Sequence, residues 1–186
     1  MNKTVSIIGV IVLAVLSGYG GFYLQKAKQN ETELLSNQPV IREDIAIIGK
    51  PMPEIRLNDL EGVEQSLAKW SGKVLAINFW ATWCPPCKEE IPDFMELQND
   101  YGEQGLQFVG IALQYPDELK EFLEEIPINY PLLAGGSEVA KAATKLGNGI
   151  GALPYTVIID RQGVIQFTKR GKLSKSDAES AILPLL

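Results

Sequence analysis

Cys84 and Cys87 are the only thiols in the chain, and they stand three residues apart in the run Trp83-Cys84-Pro85-Pro86-Cys87. On the first turn of a helix, positions i and i+3 share a face. That spacing brings the two sulfurs within disulfide reach, with Cys84 at the exposed helix N-terminus. The thiolate is the nucleophile of disulfide exchange, and the positive end of a helix favours it over the thiol. Pro85 and Pro86 withdraw two main-chain donors from that turn and temper the effect. Reversible dithiol/disulfide chemistry is the reading the pair supports. A structural disulfide is a weak rival, because a loop closed over two intervening residues removes little chain entropy. Half of an intermolecular zinc site needs a second chain for its ligands. The alternative from a different class is a Cu(I)-binding or copper-delivery module using the same two thiolates, with only Met1, Met52 and Met95 as further soft ligands.

The chain contains no histidine, which removes imidazole bases, Cys-His pairs and imidazole metal ligands from consideration. Thiol exchange needs none of these. Residues 1–30 carry Lys3, Lys26 and Lys28 and no acid, so residues 31–186 hold 14 basic against 23 acidic side chains, a net −9. An acidic body offers no footprint for a phosphate backbone, so nucleic acid is not an expected partner.

The elements that must position the pair can be read around it. Residues 74–80, VLAINFW, form an apolar run of the kind that makes a central strand buried on both faces. Residues 83–101 then read as a helix, with Cys87, Ile91, Phe94, Met95 and Tyr101 lining one side and Pro92 predicting a kink. A second buried strand at 106–113 completes a βαβ unit. Short helices are expected at 117–126 and at 137–146, the latter capped by Ser137 and ended by Gly147 at C′. Strands at 155–160 and 164–169 joined by Asp160-Arg161-Gln162-Gly163 make a hairpin, and a last helix covers 176–183. The sum is an α/β fold, a mixed central sheet flanked by helices.

Upstream, residues 5–24 are 20 consecutive residues without a charge, flanked by Lys3 and by Lys26 and Lys28. As a helix they would be ~30 Å long, the hydrocarbon thickness of a bilayer. No good small-residue cleavage site follows, so an uncleaved signal-anchor is expected at 1–24, a tether at 25–48 and the globular domain at 49–186. The flanking lysines do not decide the orientation.

Taken together, Asn78-Phe79-Trp80-Ala81-Thr82-Trp83-Cys84-Pro85-Pro86-Cys87, then Glu90 and Pro92, then Gly151-Ala152-Leu153-Pro154-Tyr155-Thr156, resemble membrane-tethered thioredoxin-like proteins of the TlpA/ResA type. The resemblance covers about residue 48 to the C-terminus. It implies a thioredoxin fold with an N-terminal hairpin around 52–67 and a central insert around 117–146. It further implies a domain on the periplasmic or outer face of the bacterial membrane, and a setting in cytochrome c maturation or in the reduction of another extracytoplasmic protein.

By the same resemblance Cys84 is the attacking nucleophile, Cys87 the resolving cysteine and Pro154 a cis-proline facing them. X–Pro bonds are the only peptide bonds cheap enough to be cis, which agrees with the last assignment. Trp83, Pro85, Pro86, Leu153 and Pro154 form the expected client-binding set. The implied partners are a client protein with a disulfide or thiol pair and a membrane electron-donor thiol protein, with no cofactor beyond the Cys84–Cys87 disulfide and no metal. Ordinary thioredoxins carry an Asp where this chain has Asn78, which cannot titrate. Glu90, one helical turn past Cys87, is therefore the expected proton acceptor, its pKa raised by burial. A peroxidase shares the hairpin-thioredoxin layout, but its reactive cysteine sits in a different local motif.

Overall fold

The computed structural model describes residues 46–186. The expected membrane span at 5–24, and the tether as far as residue 45, lie outside the described residues. Among the described residues no helix is long and apolar enough to cross a membrane.

The described chain begins with an antiparallel hairpin of β1 (Arg56–Asn58) and β2 (Glu64–Ser66), followed by a 3-10 turn at Leu67–Trp70 and by β3 (Val74–Trp80). There follow α1 (Pro85–Tyr101), β4 (Leu106–Ala112), α2 (Lys120–Glu125), β5 (Leu132–Ala134), α3 (Ser137–Lys145), β6 (Tyr155–Ile159), β7 (Ile165–Arg170) and α4 (Lys175–Ile182). The main sheet has the order β5-β4-β3-β6-β7. Its centre is parallel, β3 with β4 and β4 with β5, while β6 and β7 run antiparallel. This is the thioredoxin fold with the expected hairpin and insert.

Every residue of β3 is buried, as its unbroken apolar run requires. The two-residue period of the strands divides the core in two. Leu75, Ile77 and Phe79 face the layer holding the β1–β2 hairpin and α3. Val74 and Ala76 face the layer of α1 and α4, where Phe94 stacks on Phe108 with ring centroids 4.9 Å apart. Asn78 and Trp80 share the parity of this second layer, and that places the one polar residue of β3 under α1.

Several boundaries differ from expectation for identifiable reasons. The segment 117–126 is not one helix: Pro116–Glu118 forms a 3-10 turn and α2 begins only at Lys120. Gly136, not Ser137, caps α3, and Ser137 is its first residue. The edge strand β5 was not anticipated; three residues behind Pro131 show too little alternation to be read. The second buried strand ends at Ala112, although the Leu113 N–H still bonds the Trp80 carbonyl at 2.9 Å. Pro92 does not end α1 and sits on its exposed face, where a lost hydrogen bond can be met by water. The turn at 160–163 forms as read, with Gly163 at φ 81° and the Asp160 carboxylate accepting from the N–H groups of Gln162 and Val164.

Candidate active site

Cys84 and Cys87 lie where β3 hands over to α1. Their sulfurs are bonded at 2.04 Å, with Cα atoms 5.3 Å apart. Cys84 is the N-cap residue, in extended conformation, and Pro85 and Pro86 occupy the first two helical positions. Pro at these positions is favourable because the missing N–H groups would lack helical partners anyway. The next two N–H groups, of Cys87 and Lys88, both turn back to the Cys84 carbonyl at 3.1 and 3.3 Å. The first turn therefore holds no unused main-chain donor to aim at a Cys84 thiolate. What remains to favour the thiolate is the charge at the helix end.

Cys84 is less exposed than expected: 5% of its surface is accessible, against 0% for Cys87. The order of exposure matches the reading of one presented and one withheld sulfur, but the presented one shows only an edge. Trp83, in contrast, is 62% exposed beside the pair, Pro85 is exposed and Pro86 half-buried. The pair is packed with Trp80, Ala81, Ile91 and Ala112, and Leu153 packs against the same cluster. The Leu153–Pro154 peptide is cis. Chain segments some 70 residues apart in sequence are thus brought to one end of the sheet, since β6 runs antiparallel to β3 with Tyr155 opposite Phe79.

Glu90 is not a solvated helix carboxylate. It is fully buried one turn below Cys87, whereas neighbouring Glu89 is exposed and paired with Lys172 at 2.7 Å. Both Glu90 oxygens accept hydrogen bonds: Oε1 from Asn78 Nδ2 at 2.7 Å and Oε2 from the Leu173 N–H at 2.9 Å. Burial raises its pKa from the ordinary 4.5 to about 7, against the lowering effect of these two donors and of Lys172. A carboxyl poised there can take and return a proton at neutral pH.

The loop after β7 completes the site. The Gly171 N–H bonds the Pro154 carbonyl at 2.8 Å, and two residues later Leu173 bonds Glu90. Sequence reasoning missed this loop, because a main-chain donor leaves no mark in the residue type. It also missed Thr156, whose Oγ1 accepts from Asn78 Nδ2 at 3.1 Å. Among the described residues, no group of three or more His, Cys, Asp or Glu side chains is arranged to hold a metal ion.

Residues 48–168 match the AhpC/TSA family. The chain belongs to the AhpC/TSA family. This AhpC/TSA protein is 30% identical over 181 residues to the thiol-disulfide oxidoreductase ResA of Bacillus cereus, an alignment covering 96% of this chain and 95% of the relative. It is 28% identical over 177 residues to the thioredoxin-like protein YneN of Bacillus subtilis, covering 92% and 94%. Among solved structures, a thiol:disulfide interchange protein of the thioredoxin family from Chlorobium tepidum superposes with a TM-score of 0.65 at 31% identity, over 73% of this chain and 94% of that one. The ResA-type resemblance read from the motifs is borne out, and this AhpC/TSA protein is a thiol-disulfide oxidoreductase of that type.

Proposed function

We propose that the protein is a membrane-anchored, extracytoplasmic thiol-disulfide oxidoreductase that reduces disulfides of protein clients through Cys84 and Cys87. The observation that carries this reading is the bonded pair at the start of α1, packed beside the cis Leu153–Pro154 peptide. In the reduced protein the Cys84 thiolate attacks a client disulfide, forming a mixed disulfide and expelling one client thiolate. Cys87 then gives its proton to Glu90 and attacks the Cys84 sulfur, expelling the second client thiolate. The client gains two electrons and two protons, and the protein is left with its disulfide. A membrane electron-donor thiol protein supplies the electrons that restore the dithiol.

Trp83 and the proline turn provide an apolar surface for the client. Leu153, just outside β6, offers its main chain to an extended segment. The uncharged run at 5–24 supports anchoring in the bacterial cytoplasmic membrane, and the family resemblance supports the outer or periplasmic face and a setting in cytochrome c maturation.

The test is a Cys87→Ser variant, which cannot resolve the mixed disulfide. In membranes it is expected to accumulate a client linked through Cys84, released by reductant and absent from the Cys84→Ser variant. Stoichiometric, tight Cu(I) binding with no mixed disulfide would overturn the proposal in favour of the copper-delivery reading.

A further inference from the structure

Three buried polar side chains meet between the sheet and α1: Asn78 from β3, Thr156 opposite it on β6, and Glu90. The amide nitrogen of Asn78 serves the other two, donating to Glu90 Oε1 at 2.7 Å and to Thr156 Oγ1 at 3.1 Å. The other end of the same amide, Oδ1, is buried and has no hydrogen-bond partner. Leaving a buried acceptor unpaired is costly, and such exceptions in a packed core call for a reason.

The reason lies in what this arrangement can and cannot accept. Both hydrogen bonds that Glu90 makes come from N–H donors, which suits a carboxylate better than a carboxylic acid. When the side chain takes a proton, Oε2 can continue to accept from Leu173, because a main-chain N–H cannot turn away. A proton held on Oε1 along the Asn78 contact then meets the NH₂ group donor to donor. The oxygen and nitrogen ends of a carboxamide are nearly the same size, so a half-turn about χ2 exchanges them with little change of packing. After the turn Oδ1 accepts the Glu90 O–H. Thr156 Oγ1, which as a hydroxyl can donate as well as accept, donates to Oδ1 in turn. Each orientation leaves one end of the amide unpaired, so neither is locked.

We propose that Asn78 is a positioning residue whose carboxamide reverses when Glu90 takes up a proton, with Thr156 switching from acceptor to donor. The proton resides on Glu90 Oε1, and the amide carries none. This deepens the proton-acceptor reading of Glu90 and rests on it.

The charged and titratable groups acting on Glu90 are few. Lys172, on the loop after β7, is held in its ion pair with Glu89, and Asp93 lies one turn further along α1. Tyr130, ahead of β5, is kept neutral by burial and by the Glu90 charge.

The experiment is NMR on the oxidised full-length protein in detergent, labelled with ¹⁵N-asparagine and ¹³C-carboxyl glutamate, from pH 5 to pH 9. The Glu90 carboxyl shift reports the titration, and the nuclear Overhauser contact between the Asn78 amide protons and the Thr156 Hβ reports the orientation. The contact is expected at pH 9 and lost at pH 5, with the midpoint of the Glu90 titration. In Glu90→Gln, which presents a donor permanently, it is expected to be absent at both extremes. A titrating Glu90 with the contact unchanged at both pH values overturns the reversal alone. A Glu90 that does not titrate in this range overturns the proton-acceptor reading and the reversal with it.

Discussion

At the scale of single residues, Glu90 is the group whose surroundings most constrain the chemistry. A carboxyl without solvent contact that binds a proton more tightly than it would in the unfolded chain links folding to pH. Its folded pKa, about 7, lies above the ordinary 4.5, so its contribution to stability is fully present below pH 4.5 and is lost as pH rises through 7. A shift of that size corresponds to about 3 kcal/mol. Glu90→Gln cannot ionise, so the unfolding free energy of the native protein should fall relative to the variant by about that amount between pH 4.5 and pH 8. Denaturant titration at the two pH values measures it, and a constant difference would contradict the burial argument. The same substitution should slow resolution of a mixed disulfide by about 10²-fold, the usual weight of a positioned proton acceptor.

Much of the candidate site is legible at this scale. Cys84, Cys87 and Pro154 carry their chemistry in their residue types and spacing, and the neutrality of Asn78 directs attention to Glu90. Thr156 and Leu173 were not legible. Each meets its partner across about 80 residues of sequence, Thr156 through a hydroxyl that strands also use for packing and Leu173 through a main-chain N–H.

At the scale of elements, the active end of the sheet is held by ties between segments more than by any one helix. Strand β3 and the start of α1 present the sulfurs, β6 presents the cis-proline, and the loop at 171–173 clips both by bonding Pro154 and Glu90. Gly171 makes that loop possible, with φ at 79° and open space where a side chain would begin. Gly171→Ala should therefore cost only the left-handed conformational penalty, about 1–2 kcal/mol, with no steric addition. Thermal unfolding reads this directly, and an undiminished stability would show that the loop does not need its left-handed residue. The long elements were readable because β3 and β4 are apolar runs of seven residues and α1 keeps a helical period over its 17 residues. Strand β5 and the split at 116–120 were not, because three residues or one 3-10 turn are too short for a period to show.

At the scale of the whole molecule, the proposed function assigns the chemistry to the acidic domain and the anchoring to the uncharged run at 5–24. The chemistry needs only a thiolate, a helix end and a buried carboxyl, which is why a chain without histidine can perform it. In the proposed reading the 20 uncharged residues supply the anchor and the family resemblance supplies the outer face. Full-length protein expressed in bacteria should stay with the membrane pellet through alkaline carbonate extraction, and its domain should be digested by protease added outside the cytoplasmic membrane. Release by carbonate would contradict the anchor, and protection of the domain in intact spheroplasts would contradict its orientation.

The central claim is that Cys84 and Cys87 act together as a two-electron couple on protein disulfides. The most direct measurement mixes the reduced full-length protein, without other reductant, with a protein disulfide substrate such as insulin and counts thiols. The account predicts one substrate disulfide opened per molecule, two protein thiols lost as the Cys84–Cys87 bond forms, and no reaction by Cys84→Ser. Reduction that proceeds without Cys84, or loss of one protein thiol per disulfide with Cys87 still free, would contradict it.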